Sequence, residues 1–164
     1  MVFTDKKIKH LTKFVKEYNP HGRFHISSEG ELKFRNAQEQ PRDTHKPIGL
    51  WYSVGHQWSE WLIDNQPEWI TDYIYKVTIN KTEILRIINK AGLDDFIETY
   101  VSKDGYVNWW EVSKKYDGIE VYYKNIYNYR DKYIWLWGWD VDSGCIWNKR
   151  AIKSIEKVHK LKER

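Results

Sequence analysis

One cysteine in 164 residues leaves this chain no internal disulfide, and such sparse thiol usage fits a reducing compartment, by default the cytoplasm. That residue, Cys145, lies between Gly144 and Ile146 in an apparent strand, so it reads as a small buried hydrophobe and not as a nucleophile. No internal repeat or low-complexity tract is present, which argues against solenoids and propellers. No apolar run approaches the roughly 18 residues needed to cross a bilayer. The first residues, Met1-Val2-Phe3-Thr4-Asp5-Lys6-Lys7, lack the apolar region of a secretory signal. Six scattered histidines without a Cys-x-x-Cys pair give no zinc expectation. Gly-rich phosphate loops of the Gly-x-x-x-x-Gly-Lys or Gly-x-Gly-x-x-Gly type are absent as well.

Aromatics are abundant: ten Trp and twelve Tyr. They explain how a mean hydropathy of -0.78 coexists with 41% hydrophobic residues, because these rings score poorly on such a scale yet bury large areas. Disordered chains are poor in such residues. The length suits a single domain, residues 1–164, able to bury about 70% of its unfolded surface. The formal charge of +4 is unevenly placed: Lys149–Arg164 holds seven Lys/Arg and two Glu, leaving 20 basic against 21 acidic residues elsewhere. This basic tail, 149–164, is either a solvated, partly frayed end or an arm that contacts nucleic-acid phosphates.

Residues 5–18 place Ile8, Leu11, Phe14, Val15 and Tyr18 at helical spacing with lysines largely opposite, and Asn19-Pro20 stops the helix within the segment 1–20. Arg23-Phe24-His25-Ile26-Ser27 alternates as a strand, with Arg23, His25 and Ser27 on one face. Glu31–Phe34 is expected to pair back as a hairpin. Residues 35–47 form a polar loop long enough to be functional. Strands are expected over 48–53, 73–79, 84–87, 119–122, 135–139, 145–147 and 152–158, with helices over 57–62, 93–100 and 109–116. Asn125–Lys132 reads as a tyrosine-rich loop. Short strands with helices in irregular order give an α+β class. Trp135, Trp137 and Trp139 would share one strand face, either as a core layer or as a stacking platform beside Tyr127, Tyr129 and Arg130.

The last third carries a more specific pattern. Tyr116-Asp117-Gly118-Ile119 is a turn feeding a strand, and Ser143-Gly144-Cys145-Ile146-Trp147 is a second strand that leads to Ala151-Ile152-Lys153-Ser154-Ile155. This layout resembles the C-terminal part of phage-type ADP-ribosyltransferase domains, where a "YDGI" strand precedes a strand opened by the catalytic glutamate and a "QIKSI"-like closing segment. The resemblance covers roughly residues 22–156. It implies a split, strongly curved mixed or antiparallel sheet with flanking helices, gripping NAD in a cleft, and transfer of ADP-ribose to a protein or nucleic-acid acceptor. No membrane partner is expected, because no apolar run is long enough to span a bilayer.

By the same resemblance, His25 with Tyr52 matches the class in which histidine holds the adenosine side of NAD and tyrosine stacks on nicotinamide. Arg23 with Ser53 matches the class in which arginine grips phosphate. Adjacent strand residues face opposite ways, so only one of Tyr52 and Ser53 can look into the cleft; Trp51 and Ser27 complete the expected NAD-binding set. The third motif departs from the family: Ser143 stands where the glutamate belongs. A hydroxyl cannot balance the positive charge that develops as nicotinamide departs, and preorganised charge is usually the largest catalytic term. Asp142 and Asp140 are the carboxylates near enough in sequence to substitute, with Glu120 a third candidate in the earlier strand. The chain is thus expected to be a NAD-dependent transferase, a lapsed relative that binds NAD or ADP-ribose-type nucleotides, or a nucleic-acid-binding module built on the basic tail and its aromatics.

Overall fold

The computed structural model describes residues 2–34 and 38–161; of the sequence expectations, residues 35–37 of the long loop and 162–164 of the basic tail lie outside them. Seven strands, parallel and antiparallel, with flanking helices make this an α+β protein. The chain divides into two compact units, one formed by Met1–Lys33, Tyr52–Ile79 and Lys153–Arg164, the other by Phe34–Trp51 and Asn80–Ile152.

In the first unit, helix α1 (Val2–Glu17) is followed by strand β1 (Arg23–Ser27). β1 is flanked on both sides. It pairs antiparallel with β2 (Leu50–Val54), Phe24 opposite Ser53, and antiparallel with β3 (Tyr73–Ile79), His25 opposite Tyr75. With both edges taken, Glu31–Phe34 has nothing to pair with and forms no strand, contrary to the expected hairpin. Between β2 and β3 come helix α2 (Gln57–Asn65) and a 3₁₀ turn, Pro67–Trp69. Leu11 and Phe14 of α1, Leu62 of α2, and Phe24, Ile70, Ile74 and Leu161 are buried together as one core. The periodicity of residues 5–18 therefore reports a real apolar face, although α1 begins at Val2.

The basic end is not a frayed arm up to Leu161. Ile152–Lys160 is strand β7, beside β3 in the strand order β2-β1-β3-β7, and the Leu161 N–H donates to the Asp72 carbonyl at 2.7 Å. Lys153, Lys157 and Lys160 are exposed along it, as is common where a terminal strand must discourage further pairing.

In the second unit, β4 (Ile84–Ile87) runs parallel to β5 (Gly118–Val121), and β5 pairs antiparallel with β6 (Ser143–Ile146). Helices α3 (Lys90–Tyr100) and α4 (Trp109–Ser113) form the crossover between β4 and β5, since parallel neighbours need a long connection. Asn89 caps α3 through Gly92 N–H at 3.0 Å, and Asn108 caps α4 through Glu111 N–H at 3.1 Å. The core joins Ile87, Leu93, Phe96, Trp109, Ile119, Trp135, Trp139, Cys145 and Trp147.

Two expectations here are corrected. Asn125–Lys132 is not simply a loop: α5 (Tyr123–Ile126) and a 3₁₀ turn, Tyr127–Tyr129, occupy this stretch, with Tyr123 and Ile126 buried one turn apart. Residues 134–138 form a 3₁₀ helix, not a strand. Trp135 and Trp139 are buried while Trp137 is 60% exposed, so the three indoles do not share a face. A 3₁₀ helix has about three residues per turn, so Trp135 and Trp137 point in different directions, and Trp139 follows its end in extended backbone.

The long loop is stapled rather than free. Gln40, buried, donates to the Ile48 carbonyl at 2.6 Å and accepts from the Ile48 N–H at 2.9 Å. Thr44 bridges Val107, and Arg42 lies 3.8 Å above the Trp110 ring. Gly49 at its end is required by close approach, since a Cβ there would collide with the Ile146 carbonyl oxygen.

Candidate functional site

A cleft of about 680 Å³ opens in the first unit where the α1–β1 turn meets the end of β2 and the start of α2. It is lined by Val15, Pro20, His21, Gly22 and Arg23 and by Val54, Gly55, His56, Gln57 and Glu60. The sequence builds this shape locally. Asn19 accepts the His21 N–H at 2.8 Å to turn the chain after α1. Gly55 takes a left-handed φ of 61° after β2, a conformation glycine adopts without steric cost. Its N–H donates to the Gly22 carbonyl at 2.7 Å, tying the two turns together.

Arg23 opens β1 opposite Val54 and lines the cleft. It brings a guanidinium to a lining that also holds His21 and the carboxylate of Glu60. His25 and Ser27 continue the same strand face, and the Ser27 hydroxyl accepts the Glu29 N–H at 3.0 Å in the following turn. Tyr52 and Ser53 are both buried and neither lines this cleft; the Ser53 hydroxyl donates to the Gly55 carbonyl at 3.1 Å.

His56 is a wall residue that sequence reasoning passed over. It is buried, stacked on Phe24 with ring centroids 4.9 Å apart. Its Nε2 lies 3.0 Å from the Tyr18 carbonyl; a carbonyl can only accept, so Nε2 carries the proton. The Gly55-His56 pair ahead of the α2 pattern was the available clue. His21 and His25 have the four-residue spacing of a helical metal pair, but they sit in a turn and a strand. Among the described residues no group of three or more His, Cys, Asp or Glu could hold a metal ion.

The remaining expected site residues belong to the second unit. Trp51 packs edge-on against Trp139 at 5.1 Å, and the Lys46 ammonium lies 5.5 Å above its ring. Lys46 also acts on Asp140. Partial burial pushes the Asp140 carboxyl above its ordinary range, and the charges of Lys46 and Arg130 oppose that rise. The residue as a whole is exposed, so the desolvation is local and modest. Trp51 and Asp140, far apart in sequence, thus share one lysine.

Asp142 and Ser143 are engaged in local structure. The Asp142 carboxylate accepts the Lys124 N–H at 2.8 Å, and the Ser143 hydroxyl donates to the Val141 carbonyl at 3.0 Å. Glu120 is fully buried on β5. It accepts from the Tyr122 hydroxyl at 2.8 Å and faces Arg86 Nε at 3.4 Å, while Arg86 also donates to the Tyr122 oxygen at 2.6 Å. Burial and the hydrogen bond to Glu120 raise the Tyr122 phenol above its ordinary value. The stacking platform is not present as expected: of its three indoles Trp137 alone is exposed, its N–H donating to the Arg130 carbonyl at 2.6 Å.

No family model, curated protein or solved structure matches this chain. Among the described residues no helix is long and apolar enough to cross a membrane.

Proposed function

We propose that this chain is an ADP-ribosyltransferase-like protein that binds NAD or a related ADP-ribose-type nucleotide in the cleft of its first unit, with transfer chemistry lapsed. The observation that carries the reading is Arg23, at the head of the first core strand and on the wall of a cleft of about 680 Å³. That volume lies within the range of small-molecule sites, and an arginine fork suits a diphosphate better than a lysine would. Lapse is supported by the third motif. The Ser143 hydroxyl and the Asp142 carboxylate hydrogen-bond the backbone at Val141 and Lys124, and Glu120 is buried against Arg86 and Tyr122. Calorimetry with NAD and ADP-ribose tests this directly. Binding without nicotinamide release, lost in Arg23→Ala, is the expected result; absence of binding to either ligand removes the reading.

A second reading, a working transferase, is favoured by the neighbourhood of Asp140. Its carboxylate is the one near the third motif with no hydrogen bond among the described residues, and it shares Lys46 with Trp51. In that case Trp51 frames nicotinamide and Asp140 balances the developing charge. Loss of such a charge typically costs about 100- to 1,000-fold in rate. Nicotinamide release from NAD in the presence of cell extract, abolished by Asp140→Asn with binding retained, would establish it; absence of release in the wild-type protein rejects it.

A further inference from the structure

Residues 57–72 contain three tryptophans and four carboxylates, and no lysine or arginine, in a chain whose net charge is +4. The fold gathers these residues. Trp58 and Trp61 lie one turn apart on α2 and stack with centroids 4.8 Å apart and planes within 7°. Trp69, in the 3₁₀ turn that follows, leans on Trp61 at 6.1 Å and is 56% exposed. Glu60, Asp64 and Glu68 are exposed on the same two elements. Asp72 is paired with Lys7 at 2.9 Å, whereas Glu60, Asp64 and Glu68 make no ion pair among the described residues.

Trp58 and Trp61 are half-buried against the first unit's core; single exposed apolar side chains are ordinary, but an exposed indole continuous with two more marks an interaction surface. Elsewhere the protein covers such a ring itself: Trp110 carries Arg42 on it at 3.8 Å and Lys114 at 3.6 Å. Among the described residues no cation lies over Trp58, Trp61 or Trp69. What this face lacks is the positive charge that its indoles and carboxylates both attract.

We propose that the face formed by Trp58, Trp61 and Trp69 with Asp64 and Glu68 docks an arginine-bearing segment of a partner protein. A guanidinium is planar and weakly hydrated, so it stacks on an indole while its N–H fork reaches a carboxylate. Charge complementarity selects this occupant. Stacked indoles alone would also suit nucleobases, but nucleic-acid affinity comes largely from phosphate neutralisation, and here the carboxylates of Asp64 and Glu68 would meet those phosphates.

The test is calorimetry on the full chain with a short Gly–Arg repeat peptide, its Gly–Glu counterpart and an oligothymidylate. The Gly–Arg peptide binds, weakens with salt, and loses about tenfold in Trp69→Ala, the scale of a desolvated cation–π contact. Trp69→Leu, which keeps apolar area but no ring, shows a similar loss, and Glu68→Gln or Asp64→Asn a loss of several-fold. Trp69 is more than half exposed, so these variants retain the fold, and circular dichroism verifies it. The proposal is overturned by no binding of the Gly–Arg peptide, by unchanged affinity in Trp69→Ala, or by oligothymidylate binding that Trp69→Ala abolishes. Self-association that the same variant abolishes would also overturn it, by assigning the face to a second copy.

Discussion

The Asp142 carboxylate accepts the backbone N–H of Lys124 at 2.8 Å, across 18 residues of sequence. Lys124 is the second residue of α5, whose own preceding residue, Tyr122, supplies no side-chain cap. The aspartate therefore serves a short helix as a cap delivered from another part of the chain, and its negative charge faces a helix N-terminus, where it is favoured. Asp142→Ala should lower stability by about 1–2 kcal/mol in urea unfolding, the usual cost of losing a cap.

Asp140, two residues earlier, should behave in the opposite sense. Its carboxyl titrates above the ordinary value because of burial, so folding favours the protonated form. Any stability it contributes is present at pH below the unfolded value of 3.8 and is lost as pH rises through the folded value. At neutral pH Asp140→Asn is expected to leave stability unchanged or slightly raised. A clear loss would mean that Lys46 and Arg130 outweigh desolvation.

Glu120 has no exposed surface, and its Oε1 takes both the Tyr122 hydroxyl and Arg86. Truncating one member of a buried charged set leaves the others unbalanced, typically at about 3–5 kcal/mol. Arg86 retains 29% side-chain exposure, which moderates that cost. Glu120→Ala should fall at or below the lower end of the range, Glu120→Gln well below it, since the amide oxygen still accepts from Tyr122. If Glu120→Gln instead left stability intact while ending NAD turnover, Glu120 and not Asp140 would be the acid.

Cys145 is fully buried on β6, and burial holds its thiol well above the ordinary range. The thiolate is the reactive form, so a thiol reagent such as dithionitrobenzoate should fail to label native protein and should titrate one thiol in guanidinium. Fast labelling without denaturant would place this strand outside the core.

His159, on β7, lies against Phe14 with ring centroids 5.1 Å apart, and its Nε2 is buried without a partner among the described residues. Burial, with His10 and Lys13 nearby and Glu17 opposing, lowers its proton affinity from the ordinary 6.5. A depressed histidine contributes stability above the unfolded value and loses it as pH falls through the folded one. Unfolding midpoints in urea should therefore decline below about pH 6.5, and His159→Phe should flatten that decline. An identical pH profile in the variant would assign the acid sensitivity elsewhere.

Much of the architecture is legible in apolar spacing. The face of α1 and the alternation of β1 and β3 follow from local pattern. Trp135–Trp139 shows where pattern fails: over five residues, alternation and a helical turn both fit an aromatic run, and only the core decides between them. The missing hairpin at Glu31–Phe34 fails for a different reason, because its would-be partner already has two neighbours, one of them from 50 residues away in the chain. The site divides in the same manner. Arg23 is readable as a polar residue on a strand face, whereas His56 acquires meaning only when its turn is tied to Gly22. The burial of Glu120 depends on Arg86, 34 residues distant, a pairing that no local rule encodes.

The distribution of indoles gives the protein a built-in optical label. Trp58, Trp61 and Trp69 belong to the first unit, and Trp51, Trp109, Trp110, Trp135, Trp137, Trp139 and Trp147 to the second. The first set is stacked near solvent, whereas Trp109, Trp135, Trp139 and Trp147 sit in an apolar interior. With Trp137, itself 60% exposed in the second unit, replaced by Phe, emission at the red side of the band reports mainly on one unit and emission at the blue side on the other. A denaturation curve recorded at both wavelengths reveals, without any added probe, whether the two halves come apart together or in turn.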